Sequence, residues 1–217
     1  MKNMLLIVLI FNTIQASAND TSYYAVLRNS LVLADQEYSL STYQNLANTC
    51  ERIIALRENE WLPLYYRAYA FAHMGYMTKD EEKKDALLDQ AQASVDAALI
   101  LNPEESEIQL VIALICYGRM EINPMFRATI YFPKANAALW KAIELNPRNP
   151  RIYYLEGKST MYKPAFMGGG AEAALPILEK SLQYYAEFVP PNDIFPHWGE
   201  ESTLLLYQKC KDGIEEE

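Results

Sequence analysis

Three cysteines, two histidines and a glycine triplet carry the most specific chemistry in this 217-residue chain. Cys50, Cys116 and Cys210 fall at irregular spacing, with no Cys-x-x-Cys pair. Only His73 and His197 are present to join them, so no zinc ligand set forms and no metal site is expected. They read as buried small apolar side chains; the odd count also allows one disulfide plus a free thiol, with the pairing left open. Gly168-Gly169-Gly170 enters a helical pattern, where backbone N–H groups can hold an anion. It lacks the lysine and the spacing of a nucleotide loop, so a tight backbone crossing is the expected role. Glu156 and the carboxylates near Tyr76 are available for acid–base work in a hydrolase of envelope sugars or peptides. No nucleophile–base pair has a recognisable spacing, so no catalytic residue is assigned and no cofactor is expected.

The elements that must position these residues are helices. Ala91–Pro103 and Ala135–Pro147 are two copies of one pattern, each ending in Asn-Pro. Small and branched apolar residues return at three- and four-residue steps: Ala91/Ala135, Val95/Leu139, Ala98/Ala142, Leu101/Leu145. Repeats of this length stack as helix pairs that bury their apolar faces only against neighbours, which predicts an all-α fold of antiparallel pairs. Upstream, Tyr24, Leu27, Leu31 and Ala34 share one helical face, and Leu46, Cys50 and Ile53 another, giving a first helix pair. A nearly continuous apolar helix follows Trp61-Leu62-Pro63 and should be covered on most sides. Ser106-x-x-Gln109 has capping-box spacing, and Asn149-Pro150 suits a helix start. Three stretches, Tyr76–Asp85, Glu121–Pro133 and Tyr162–Gly170, are expected as long loops projecting side by side as one rim. Pro190, Pro191 and Pro196 exclude a long helix there, His197-Trp198-Gly199 offers an aromatic plug, and Glu200–Lys211 reads as a closing helix.

Residues 1–18 read as a secretory signal peptide: Lys2, a short apolar run, then Ala16-Ser17-Ala18 as a cleavage site. The organisation expected is this leader, an N-terminal helix pair over 19–60, repeats over 61–187, and a Pro-rich segment, capping helix and acidic tail over 188–217. The expected location is periplasmic or extracellular, with no integral membrane segment after cleavage. The formal charge is −9, one unit more negative without Lys2, which argues against a nucleic-acid partner.

Ala91, Val95, Ala98 and Pro103, with Ala135, Leu139, Ala142 and Pro147, resemble the second half of the tetratricopeptide repeat. The first halves place Ala68 with Phe71, Ala113 with Cys116, and Gly157 with Thr160 in the family's close-crossing columns; only the first keeps its aromatic. The resemblance spans roughly residues 60–185 and is similar to exported bacterial repeat proteins without an assigned activity. It implies a right-handed superhelix whose concave groove is lined by the first helix of each pair. On matching positions that groove would present Tyr65, Tyr69, His73, Tyr117, Arg151, Tyr154, Lys158 and Tyr162 as binding residues. Tyrosine suits an extended peptide, and Arg151 with Lys158 suits a carboxylate.

The leading expectation is thus a scaffold that holds a peptide or partner protein of the cell envelope, with pairing between copies open through an uncapped end. A second reading is a carrier of a small amphiphile, gripped between the loop rim and residues 190–198. Met120, Met125, Phe126, Phe132, Phe166 and Met167 motivate it as adaptable apolar walls.

Overall fold

The structure, a computed structural model, describes residues 23–215; the leader read at 1–18 and the last two residues lie outside it. The described residues are all-α. Helix α1 covers 23–36, followed by α2 (Leu40–Ile54), α3 (Trp61–Met77), α4 (Glu81–Leu101), α5 (Ser106–Ile122), α6 (Pro124–Leu145), α7 (Pro150–Tyr162), a 3-10 turn (Ala165–Met167), α8 (Ala171–Glu187) and α9 (Glu200–Glu215). Among them no helix is long and apolar enough to cross a membrane.

Each helix packs chiefly on its neighbour in sequence, α3 on α4, α5 on α6 and α7 on α8, while α3, α5 and α7 also touch one another in that order. Helix α3 is buried almost all round because α2, α4 and α5 flank it and residues 194–198 cross it. One core runs from α1 to α7 and includes Ile194; a second joins α8 to α9 through Ala174, Leu178, Leu206 and Cys210. In α1 Leu27, Leu31 and Ala34 are buried as expected, but the face begins at Tyr23, and Tyr24 is exposed. Gly157 is a close crossing: a Cβ there would stand 2.6 Å from Leu178 Cδ2.

The Asn-Pro stops work through the asparagine's backbone. Asn102, Asn123 and Asn146 have φ of −144°, −150° and −150°, outside the helical region that a following proline disfavours. Asn149 caps α7 by accepting from the Arg151 N–H at 3.1 Å, with Pro150 in the first turn. At α5 the expected capping box does not form. Glu105 is the cap and accepts from the Glu107 N–H at 3.1 Å, leaving Ser106 inside the helix.

Two of the three expected loops are mostly helix. The stretch 121–133 enters α6, which continues through Pro133. Proline removes a bond to the carbonyl four residues back, but Thr129 and Pro133 are exposed, so water can serve that carbonyl. Arg127 fixes the new start with two parallel bonds to Asp85, 2.7 and 2.6 Å, and Arg119 reaches Asp89 at 2.6 Å. The extra length of the repeats therefore goes into 21- and 22-residue helices α4 and α6, against 17 for α3 and α5.

Candidate functional site

Trp61, Tyr65, Tyr69, His73 and Tyr76 recur at four- and three-residue steps, so they run down one face of α3. Tyr65 and Tyr69 are parallel at 6.4 Å between ring centres, and Tyr69 meets His73 at 4.2 Å. Two different parts of the chain cover this stripe.

The upper half lies under residues 188–199, which cross from α8 back over α3. Trp198 donates its indole N–H to Tyr65 Oη at 2.7 Å, and its ring lies 5.3 Å from Tyr69 and 6.3 Å from Tyr154. Phe195 meets Trp61 edge-on at 6.2 Å, and Tyr66 donates to the Ile194 carbonyl at 2.8 Å. Arg28 pairs with Asp193, and His197 stands 3.5 Å from Asp35, so α1 holds the far side of the crossing. The Asp35 carboxylate raises the His197 pKa above the usual histidine value, against the lowering effect of burial. Gly199 turns the chain into α9 at φ +103°, where a side chain would strike Tyr185 Oη.

Beneath Trp198 sits a buried ion pair. Arg151 Nε and Nη2 donate to Glu107 at 2.9 and 2.7 Å, and both side chains are closed to solvent. Asn149 adds a 2.5 Å bond to the same carboxylate, Tyr65 a weaker one at 3.4 Å, and Phe188 caps the guanidinium at 4.5 Å. Burial alone would lower the Arg151 pKa; the Glu107 carboxylate reverses this and holds it above the usual arginine value.

The lower half of the stripe lies under α1 and α2. His73 stacks on Tyr43 at 5.0 Å and meets Tyr38 edge-on at 5.7 Å, with Nδ1 3.4 Å from Tyr38 Oη. Its Nε2 is shut from solvent and has no hydrogen-bond partner, an arrangement that costs about 1–3 kcal/mol. Burial, with a smaller contribution from Lys158, pushes the imidazole pKa down to about 3. His73 is neutral at ordinary pH.

The eight residues expected to form the groove therefore divide. Tyr65, Tyr69 and Arg151 are buried, His73, Tyr117 and Tyr154 half-buried, and Lys158 and Tyr162 exposed. Arg151 does not await a ligand carboxylate, because Glu107 supplies one. Glu107 and Trp198 are the members that sequence reasoning missed as site residues. Glu107 had only its place in a helix start to recommend it, though Trp198 stood out as an aromatic plug. The glycine triplet is a backbone crossing: the Gly169 and Gly170 N–H groups bond the carbonyls of Pro164 and Thr160 at 3.2 and 3.0 Å. Cys50, Cys116 and Cys210 are free and buried, and Glu156 is half-buried, its carboxyl pKa raised by burial against Lys180 and Lys163.

At the end of α3, α5 and α7 farthest from Trp61, apolar side chains stand in water. Phe126 is 69% exposed and Phe166 89%, with Met125 and Met167 beside them in sequence. Lys84–Glu121 at 2.9 Å and Arg127–Asp85 tie the first two turns of this edge together, and Lys209 approaches Tyr162 Oη at 3.4 Å at the third.

Fold and site define an all-helical protein with a self-covered aromatic face and an exposed apolar edge. No protein-family model and no curated protein matches the chain. Among solved structures it is similar to the HusA haemophore from Porphyromonas gingivalis, with 31% identity and a TM-score of 0.80 over 88% of this chain and 94% of that one. The chain belongs to the family of that haemophore.

Proposed function

We propose that this protein is an exported carrier of a flat, amphiphilic ring of the haem type. The observation that carries the reading is the 31% identity to a haemophore over 94% of that protein's length. The site supports it. Peptide binding in the groove would have to displace residues 188–199, whose Trp198 and Ile194 already fill its upper half. What stays accessible beside the covered stripe is Tyr38, Lys158 and Tyr162 with the half-buried Tyr154, together with the apolar edge at Phe126 and Phe166. Aromatic and methionine surfaces suit a planar apolar ring, and Lys158 suits the carboxylates at a haem's margin. The packing of α3, α5 and α7 on one another supports a right-handed superhelix of tetratricopeptide type as the frame, and the leader at 1–18 supports export. The role is binding rather than catalysis.

The test is titration of the purified protein with haem, followed by the Soret band and by the heat-denaturation midpoint. Saturable binding with a raised midpoint is expected. An unshifted midpoint and a Soret band like that of free haem would remove the carrier reading and return attention to a partner protein.

A further inference from the structure

We infer that the cleft between α4 and α6 is a separate binding site for the carboxylate end of an acylamino acid, that is, a free carboxylate next to one amide and an apolar side chain. It stands apart from the carrier reading, because it lies on the other side of α5. Glu107 turns to Arg151 and the aromatic face. Gln109, two residues on and roughly 200° round the helix at 100° per residue, turns to the cleft.

The cleft encloses about 690 Å³, within the range of roughly 300–1,000 Å³ for small-ligand sites. On its floor Gln109 is only 8% exposed, and its amide has no hydrogen-bond partner among the described residues. A buried amide left unpaired is costly, and this one faces space that a ligand can fill. Its one acceptor and two donors complement the N–H and C=O of a peptide group. At the mouth, Lys134 Nζ and Arg119 Cζ stand 5.4 and 5.8 Å from the centre of the Tyr131 ring. Asp89 and Asp85 neutralise Arg119 at 2.6 and 3.3 Å, whereas Lys134 has no carboxylate partner among the described residues. Lys134 is therefore the charge left for a ligand's anion. Ile112, Ala137, Ala138 and the Cys116 thiol form the apolar wall, and burial keeps that thiol protonated by raising its pKa.

The preceding repeat shows that the fold needs none of this polarity. A matching cleft of about 540 Å³ lies between α2 and α4. Aligning Ala68 with Ala113 and Ala91 with Ala135 sets Arg119 against Met74, Tyr131 against Leu87, Lys134 against Gln90 and Gln109 against Leu64. Leu64 is as buried as Gln109 and carries no polar group. In α7 the same column holds Tyr153, whose hydroxyl donates to the Pro147 carbonyl at 2.7 Å. An apolar or internally satisfied side chain serves the packing at this position; α5 alone places a free amide there.

The experiment titrates the purified protein with N-acetyl-L-leucine, with its uncharged C-terminal amide and with acetyl-trialanyl-leucine, followed by calorimetry and backbone amide chemical shifts. The acid should bind saturably, with shifts centred on α5 and α6 at the cleft. The uncharged amide should bind at least about tenfold more weakly, as loss of a hydrogen bond to a charged group predicts. Higher affinity for the tetrapeptide than for the acid identifies a peptide's C-terminus as the natural source, and no gain identifies a small acylamino acid. Gln109→Leu and Lys134→Gln install the residues of the preceding repeat, should keep the wild-type heat-denaturation midpoint, and should each weaken binding of the acid by about tenfold. Lys134 is at the surface, so its variant reads the site without touching the core, and it should also erase the preference for acid over amide. A wild type that binds none of the three probes, shifts confined to residues outside the cleft, or unchanged affinity in both variants would overturn the inference.

Discussion

Trp198 and Tyr65 are joined by a 2.7 Å hydrogen bond across 133 residues of chain, and the bond closes the aromatic face of α3 with the protein's own C-terminal segment. This contact closes the upper half of the face, as α1 and α2 close the lower half around His73. It also links α3 to α7, because the same indole lies over Arg151 and beside Tyr154.

Trp198→Ala removes that bond and the ring contacts with Tyr69 and Tyr154, and should destabilise the protein by about 2–4 kcal/mol. Trp198→Phe keeps most of the ring contact and should lose only about 1 kcal/mol. Urea denaturation followed by circular dichroism gives both values. Equal losses would mean that the hydrogen bond, rather than the ring, holds the segment down.

The Arg151–Glu107 pair should behave asymmetrically. Arg151→Met leaves the Glu107 carboxylate buried without its counter-charge, a change worth about 3–5 kcal/mol. Glu107→Leu combined with Arg151→Met removes both charges and should recover most of the loss. A double-mutant cycle on denaturation midpoints measures the coupling. If the double variant is as unstable as the sum of the single ones, the pair is not acting as a unit.

What was legible in the sequence was whatever repeats locally. The Asn-Pro stops at Asn102 and Asn146, and the stripe Tyr65, Tyr69, His73 on α3, depend on spacings of a few residues, which the chain displays directly. The closure of the groove was only half legible. His197-Trp198-Gly199 stood out as an aromatic plug, but that it would settle on Tyr65 and Tyr69 depends on a return path over more than a hundred residues. Glu107 was invisible for a related reason: a glutamate in the first turn of a helix usually faces water, and only the arrival of Arg151 from the next repeat takes it inside. The stretch 121–133 was expected as a loop because the repeats are long, but that length goes into α6, which Pro124 starts and whose Pro133 sits on the wet side.

The two histidines should give stability opposite dependences on pH. His73 has its folded pKa lowered to about 3, so below about pH 6.5 the unfolded chain binds a proton that the folded one refuses. Its contribution is present above 6.5 and is lost as pH falls toward 3, with a slope of at most about 1.4 kcal/mol per pH unit. His197 has its folded pKa raised by Asp35, so its smaller, partly exposed contribution is present at low pH and fades as pH rises through that raised value. Denaturation midpoints between pH 4 and 8 should flatten for His73→Phe. For His197→Asn the low-pH loss should become steeper. Identical profiles for all three proteins would contradict both assignments.

Gly157 and Leu178 test how closely α7 and α8 must approach. A Cβ at position 157 would lie 2.6 Å from Leu178 Cδ2 and 2.7 Å from its Cγ, well inside van der Waals contact. Leu178 is fully buried between α7, α8 and α9 and cannot swing into water. Gly157→Ala should therefore destabilise by about 1–3 kcal/mol, although alanine is intrinsically the better helix former. Leu178→Ala alone should lose about 2–5 kcal/mol through its cavity. Combined, the two changes should cost less than their sum, because the new methyl group occupies part of the space that Leu178 vacates. Strict additivity of the two denaturation free energies would show that the helices move apart to admit the methyl group instead.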